Sequence, residues 1–362
     1  GYSLVEDKSL ATLPIAMQWT ATMCATIPAS QLMRRVGRRV GFSLGAISHI
    51  IGGTLGYHAI VAGNFALLLL ASLFVGVAVS FMQYYRFAAV DAVPESFRSK
   101  AISLVLAGGV VAAIVSGEIA KASYDWFLPH VFAGCYVAHA LLGLLTLMTL
   151  QGLVIPNLNA QQRLSSGRPL IVIARQPAFI VAVLASALSF GAMILVMTAT
   201  PLAMVSGGFA FTDAATVIQW HVLAMYLPGF FTGALIARFG VLPIMLVGTA
   251  VMFVALIVNI AGLGFLNFWA GLLLIGVGWN FMFVGGSTLL TTAYTIKERA
   301  KVQAANDFIV FSVTALAAFS SGVLLTNIGW NGVNAGVAPA MTIALVAMIW
   351  MMLARRRDTA PL

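Results

Sequence analysis

The chain has 362 residues, of which 61% are hydrophobic and 8% charged, with a mean hydropathy of +1.01. A soluble domain of that length cannot hide so much apolar surface, and uncharged runs long enough to cross a bilayer recur throughout, so the composition describes a polytopic membrane protein. The formal charge of +9 would suit a nucleic-acid partner, but its placement in the loops accounts for it without one.

In chain order, the predicted membrane helices are Ser9 to Ala29, Val40 to Val61, Phe65 to Ala92, Ala101 to Ala120 and Pro129 to Leu153. After a polar gap the series resumes with Pro177 to Ala199, Asp213 to Ala237, Leu242 to Gly262, Leu266 to Tyr294, Val302 to Thr326 and Val333 to Leu353. Each supplies the roughly 20 apolar residues that a spanning helix needs, and the alternation of a membrane strand is missing. The fold expected is all-α, with eleven helices.

Arg34, Arg35, Arg38, Arg39, Arg98, Lys100, Arg163, Arg168, Arg175, Arg238, Lys297, Arg299, Lys301 and Arg355 to Arg357 all fall on one set of alternate loops. The other set holds Lys8 and Lys121, beside Glu6, Asp7, Asp125 and Asp213. The positive-inside rule makes the arginine-rich set cytoplasmic, with the first residue outside and the last inside.

The chain also repeats itself. "MQWT" (Met17 to Thr20) returns as "IQWH" (Ile218 to His221) about 200 residues later. Pro28 matches Pro228, the Leu32, Arg35, Gly37 spacing matches Leu235, Arg238, Gly240, and "GVAVSFM" (Gly76 to Met82) matches "GVGWNFM" (Gly276 to Met282). Landmarks in constant order at a near-constant offset mark a duplicated half. The expected organisation is an N-terminal bundle over 1–155, a cytoplasmic linker over 156–176, a C-terminal bundle over 177–354 and a basic tail over 355–362. The second bundle has six helices, and the counterpart of its first would precede Gly1. A twelve-helix protein whose first helix lies outside this sequence is the expectation, with a true eleven-helix protein as the alternative.

Two parallel six-helix halves joined by a basic linker is the plan of major facilitator transporters, and the loop "SQLMRRVGRRVG" resembles that superfamily's signature Gly-x-Leu-x-Asp-Arg-x-Gly-Arg-Arg/Lys. Leu32, Arg35, Gly37, Arg38 and Arg39 match it; Ser30 replaces the first glycine and Arg34 the aspartate. "GALIARFG" resembles the degraded second copy, and the stretch around "GVGWNFMFVGG" is similar to a bacterial subgroup that includes riboflavin importers. The resemblance implies a secondary transporter of a small organic solute, working by alternating access in a bacterial inner membrane, without cofactor or enzymatic chemistry and as a monomer. A transport-inactive sensor or scaffold and a drug-efflux antiporter are the rivals. The helix carrying "VSGEIA" lacks the antiporters' Gly-Pro element. No nucleotide-binding Gly-x-x-x-x-Gly-Lys-Ser/Thr occurs, so the driving force is an ion or substrate gradient.

Polar groups inside a bilayer are costly and tend to mark function. By resemblance, helices one, four, seven and ten line the cavity, which makes Gln83, Tyr84 and Asn280 substrate contacts; Trp279, Gln219, His221, Gln18 and Arg86 join them as candidates. Each is equally well explained as a bond between neighbouring helices, and Arg86 as a side chain snorkelling to the headgroups. His49, His58 and His139 show no metal-ligand spacing, and Cys24 and Cys135 no metal or disulfide pattern. Glu118 and Lys121, three apart, suit a local pair, with Glu118 alternatively a coupling carboxylate. The basic loop anchors to anionic headgroups and, by resemblance, forms a cytoplasmic latch comprising Arg34, Arg35, Gly37, Arg38, Arg39 and Arg238. Asp91, at a helix C-terminus, is expected to pair with Arg38 or Arg39. Asp307, inside helix eleven of the full plan, is expected to pair with Arg34 as a charge-reversed latch, or to bind Asn306, Arg238 or a coupling proton.

Overall fold

The structure is a computed structural model; it describes residues 1–85, 88–89, 93–94, 98–152, 167–295 and 297–358, and of residues 98–104, 106, 107, 300 and 355–358 it describes the backbone alone. The described residues are helical, joined by short turns. The helices are α1 (Leu13–Val36), α2 (Arg38–Val61), α3 (Phe65–Met82), α4 (Arg98–Ser123), α5 (Ala133–Gly152), the short α6 (Leu170–Ala174), α7 (Pro177–Ser206), α8 (Phe211–Tyr226), α9 (Gly229–Phe239), α10 (Val241–Ile260), α11 (Phe265–Thr291) and α12 (Arg299–Asp358). The segment α12 is two helices that meet at the non-helical Gly329 (φ 69°, ψ −177°). Its 60 residues give about 45 Å of helix on either side of that glycine, enough for two crossings. With α8 and α9 counted as one broken crossing, the eleven expected spans are all present.

The chain divides into two compact units, Gly1–Leu164 with Ala318–Val323, and Ser165–Ala317 with Leu324–Leu362. In the first, α3 packs against α1 and α2, and α2 against α5. Ala29, Met33, Phe42, Ala46, Phe81, Ala88 and Leu150 form a core at the arginine-rich end, against which Tyr84 and Tyr85 lie. In the second, α11 is the centre, packing against α7, α8 and α10. Outward faces are apolar: Leu141, Leu144, Leu145 and Met148 of α5 are 45–58% exposed at helical spacing, a stripe whose solvent is lipid.

The duplication is visible in the backbone. A single glycine separates α1 from α2 and α9 from α10, at φ 90°, ψ 158° for Gly37 and φ 89°, ψ 159° for Gly240. Only glycine adopts that conformation without strain, so the two copies of the loop turn identically. Gly76 of α3 sits against the Gln18 carbonyl of α1, as Gly276 of α11 sits against the His221 carbonyl of α8, where an added Cβ would come within 2.7 Å of that oxygen.

Several boundaries differ from the sequence reading: α1 runs on to Val36 where an end at Ala29 was expected, α7 runs on to Ser206 past Ala199, and three further differences are local. The helix expected to run from Phe65 through Ala92 is interrupted at Gln83 and Tyr84, before helical residues resume at Tyr85, Ala88 and Ala89: the Tyr84 N–H turns back to the Phe81 carbonyl at 3.0 Å, and the Tyr84 hydroxyl donates to the Thr26 carbonyl of α1, also at 3.0 Å. The helix expected over Asp213 to Ala237 breaks at Leu227 and Pro228. The same proline in the first copy, Pro28, lies inside a continuous α1. The gap expected between Thr326 and Val333 contracts to the bend at Gly329.

Candidate transport site

In the first unit, Gln83 and Tyr84 lie where α3 stops, both half-buried, with the Tyr84 hydroxyl anchored to α1. Gln18 is half-buried on α1, and its carbonyl accepts from Thr22 at 2.9 Å. Arg86 and Asp91 lie outside the described residues, so the predicted Asp91 pairing with Arg38 does too.

In the second unit the candidates converge on α11. The side chain of Asn280 is buried and bridges the broken crossing: its Oδ1 accepts from the Thr232 hydroxyl of α9, and its Nδ2 donates to the Met225 carbonyl of α8, both at 2.7 Å. Fully buried His221 puts its Nδ1 2.7 Å from the Leu272 carbonyl of α11, which fixes Nδ1 as the donor and leaves Nε2 unpartnered. Gln219 is half-buried on α8. Trp279 belongs to a cluster of four rings from three helices. It stacks on Phe283 one turn along (centroids 4.9 Å apart, planes 11° apart), and Phe190 of α7 stands edge-on to Trp279 at 5.4 Å and to Phe283 at 5.6 Å. Phe311 of α12 joins the group, 6.3 Å from Phe190. Aromatic residues on helices read as ordinary core in the sequence, so Phe190, Phe283 and Phe311 carried no signal of their convergence.

The charged loops sort by partner. Arg34, Arg35 and Arg39 are exposed and Arg38 is buried. Arg39 donates to the Gln151 carbonyl at the end of α5, and the Gln151 amide donates to Ser43 at 2.9 Å, so this arginine takes a helix C-terminus as its anion. The Arg238 guanidinium lies over the Phe239 ring at 5.1 Å. Asp307, half-buried about two turns into α12, accepts from the Asn306 amide at 3.0 Å. Glu118 is exposed and pairs with Lys121 at 3.0 Å, the local alternative foreseen for it.

Two groupings escaped the sequence reading. Glu298, between Lys297 and Arg299 in a loop read only for its basic residues, is 2% exposed. Its Oε1 accepts from the Arg168 backbone N–H and Nε, and its Oε2 from Arg168 Nη2, all at 2.8 Å, while the Thr295 N–H adds a bond at 2.9 Å. The guanidinium and that N–H hold the carboxyl well below the usual carboxylate range. Lys301 donates to the Arg168 carbonyl, and Arg168 and Gln176 both donate to the Ala293 carbonyl. Separately, His49 of α2 and His139 of α5 stack with centroids 3.8 Å apart, each with Nε2 buried and unpartnered. Among the described residues no three ligating side chains come together.

The riboflavin transporter RfnT of Brucella anthropi is 40% identical to this chain over 351 residues, spanning 96% of the chain and 88% of that protein. An uncharacterised MFS-type transporter of Bacillus subtilis, YddS, is 25% identical over 96% of the chain and 84% of its own length. This chain belongs to the major facilitator superfamily. Its relatives there are transporters, not enzymes. Solved structures carry the same fold at low identity. FucP, a major facilitator transporter in the outward conformation, aligns with a TM-score of 0.61 at 15% identity, over 96% of this chain and 93% of that one. A variant of the E. coli fucose:proton symporter FucP gives 0.60 at 17%. No family model matches the chain. As a major facilitator protein the chain is a multi-pass membrane transporter.

Proposed function

We propose that this transporter carries riboflavin, or a closely similar planar heteroaromatic solute, across the bacterial inner membrane by alternating access, driven by an ion or substrate gradient. The observation that carries the reading is the 40% identity to RfnT along nearly the whole chain. The repeated turns at Gly37 and Gly240 support it, because matching bundles are what a transporter built from parallel repeats rocks against each other. Of the two carboxylates proposed for coupling, Asp307 suits the role better than Glu118. A half-buried acid inside a helix changes its surroundings when its bundle moves, whereas an exposed acid beside Lys121 does not.

The test is uptake by the full-length protein in liposomes. Radiolabelled riboflavin is expected to accumulate under an imposed proton or sodium gradient, to stop when the gradient is collapsed, and to exchange against internal riboflavin without one. Folded protein that supports neither accumulation nor exchange would leave the sensor or scaffold as the better description. Riboflavin left untouched while cationic dyes are expelled would favour the efflux antiporter.

A further inference from the structure

Among the described residues, the ring cluster of the second unit contains one hydrogen-bonding group, the Trp279 indole N–H. Trp279 is 6% exposed, Phe190 and Phe311 of the same cluster are 8% and 5% exposed, and the N–H has no acceptor. A buried donor left unpaired is unfavourable, and the sequence had an easy alternative in a fourth phenylalanine. The Asn280 amide, next to Trp279 on α11, is spent on Thr232 and Met225. The Ser186 hydroxyl, one turn before Phe190, is also buried without a partner and lies against the backbone of Gly286, where an added Cβ would be 2.4 Å from it. The indole is the donor carried by the rings themselves.

Resting on the reading above, we infer that Trp279, Phe283 and Phe190 form the surface on which the flat ring system of the solute lies, and that the Trp279 N–H donates to a carbonyl oxygen or imine nitrogen on its edge. The stacked Trp279 and Phe283 pair offers two parallel π-faces along one helix, and Phe190 stands across them as the wall that gives way when the solute enters. An isoalloxazine suits this surface, being planar, extended and bearing ring carbonyls and imine nitrogens without attached hydrogen. Recognition then resides in the ring and not in the ribityl chain.

The experiment uses the purified full-length protein, titrated with riboflavin and with lumiflavin, which keeps the ring and lacks the ribityl chain, while flavin fluorescence is followed; ribitol serves as competitor. The wild-type protein is expected to bind both flavins with similar affinity and ribitol not to compete. Trp279→Phe keeps a ring and removes the donor, and should raise the Kd for both flavins roughly tenfold, the worth of one hydrogen bond. Phe283→Leu should weaken both in parallel through lost stacking. Met282→Leu, a volume-conserving change between them on another face of α11, controls for disturbance of the helix and should leave both values unchanged. If Trp279→Phe lowers the thermal midpoint but binds both flavins as the wild-type does, Trp279 is core packing and the inference is overturned while the substrate reading stands. Wild-type protein that binds riboflavin but not lumiflavin would overturn ring recognition alone. Wild-type protein that binds no flavin overturns the substrate reading itself.

Discussion

Glu298 and Arg168 illustrate how a membrane transporter positions a charge outside the bilayer. A carboxylate buried to 2% exposure is tolerable only when every oxygen is satisfied, and here four donors from Arg168 and Thr295 do so. The sign of the pH effect follows. Because the folded pKa lies below the unfolded value, the stabilisation is fully present above the ordinary glutamate range, about pH 4.3, and drains away only as pH falls through the lower folded value. Glu298→Gln should therefore lower the thermal midpoint of the purified protein by a constant amount across about pH 5 to 8, with the gap closing below about pH 4. A gap that closes on going from pH 5 to pH 8 would contradict the assignment. Arg168→Lys should recover little, since an ammonium cannot reproduce the paired contacts of the guanidinium. Neither residue declared this pairing in the sequence. Glu298 sits among lysines and arginines, and its partner lies about 130 positions away in the linker. Arg39 was legible in part: a partner in the protein was expected for it in Asp91, but the choice of the α5 terminus through Gln151 needed the fold.

At the scale of elements, the two single-glycine turns set how α1 meets α2 and how α9 meets α10. Both glycines occupy a region closed to side-chain-bearing residues, and each closes the preceding helix with an N–H bond, to the Met33 carbonyl at 3.0 Å and the Ile236 carbonyl at 2.8 Å. Gly37→Ala and Gly240→Ala should each cost about 1–3 kcal/mol, read as a fall in the thermal midpoint. Gly336→Ala, whose added Cβ meets nothing within 4 Å, should cost little. Equal losses at all three positions would mean that the turns are not the strained points. Spans were readable because hydrophobic length decides them. Breaks were not: Pro28 and Pro228 occupy equivalent positions, yet one crossing continues and the other splits into α8 and α9. Around the second break the Asn280 side chain supplies bonds to Thr232 and Met225, whereas the first copy has Ser80, whose hydroxyl turns back to Val77 in its own helix.

For the whole molecule, the departure of Arg34 from the signature aspartate makes a functional prediction that does not depend on which state is viewed. If Arg34 and Asp307 act on each other during the cycle, Arg34→Asp and Asp307→Arg should each impair transport, and the double exchange should recover a substantial part. Strictly additive losses in well-expressed protein would separate the two charges and leave Asp307 to Asn306 or a proton. The sequence by itself determined the class of the molecule, the number of crossings and the duplication, because bilayer solvation acts on composition and length and a repeat is a property of the string. It also determined where the chain turns between α1 and α2, since Gly37 among the arginines permits little else. Only the tertiary structure decided that Phe190 stands edge-on to Trp279 and to Phe311, that His49 stacks on His139, and that Glu298 binds Arg168. Those contacts join residues far apart in the chain, on helices whose side chains all look alike to the bilayer. Which face of each helix turns inward is settled by packing against its neighbours.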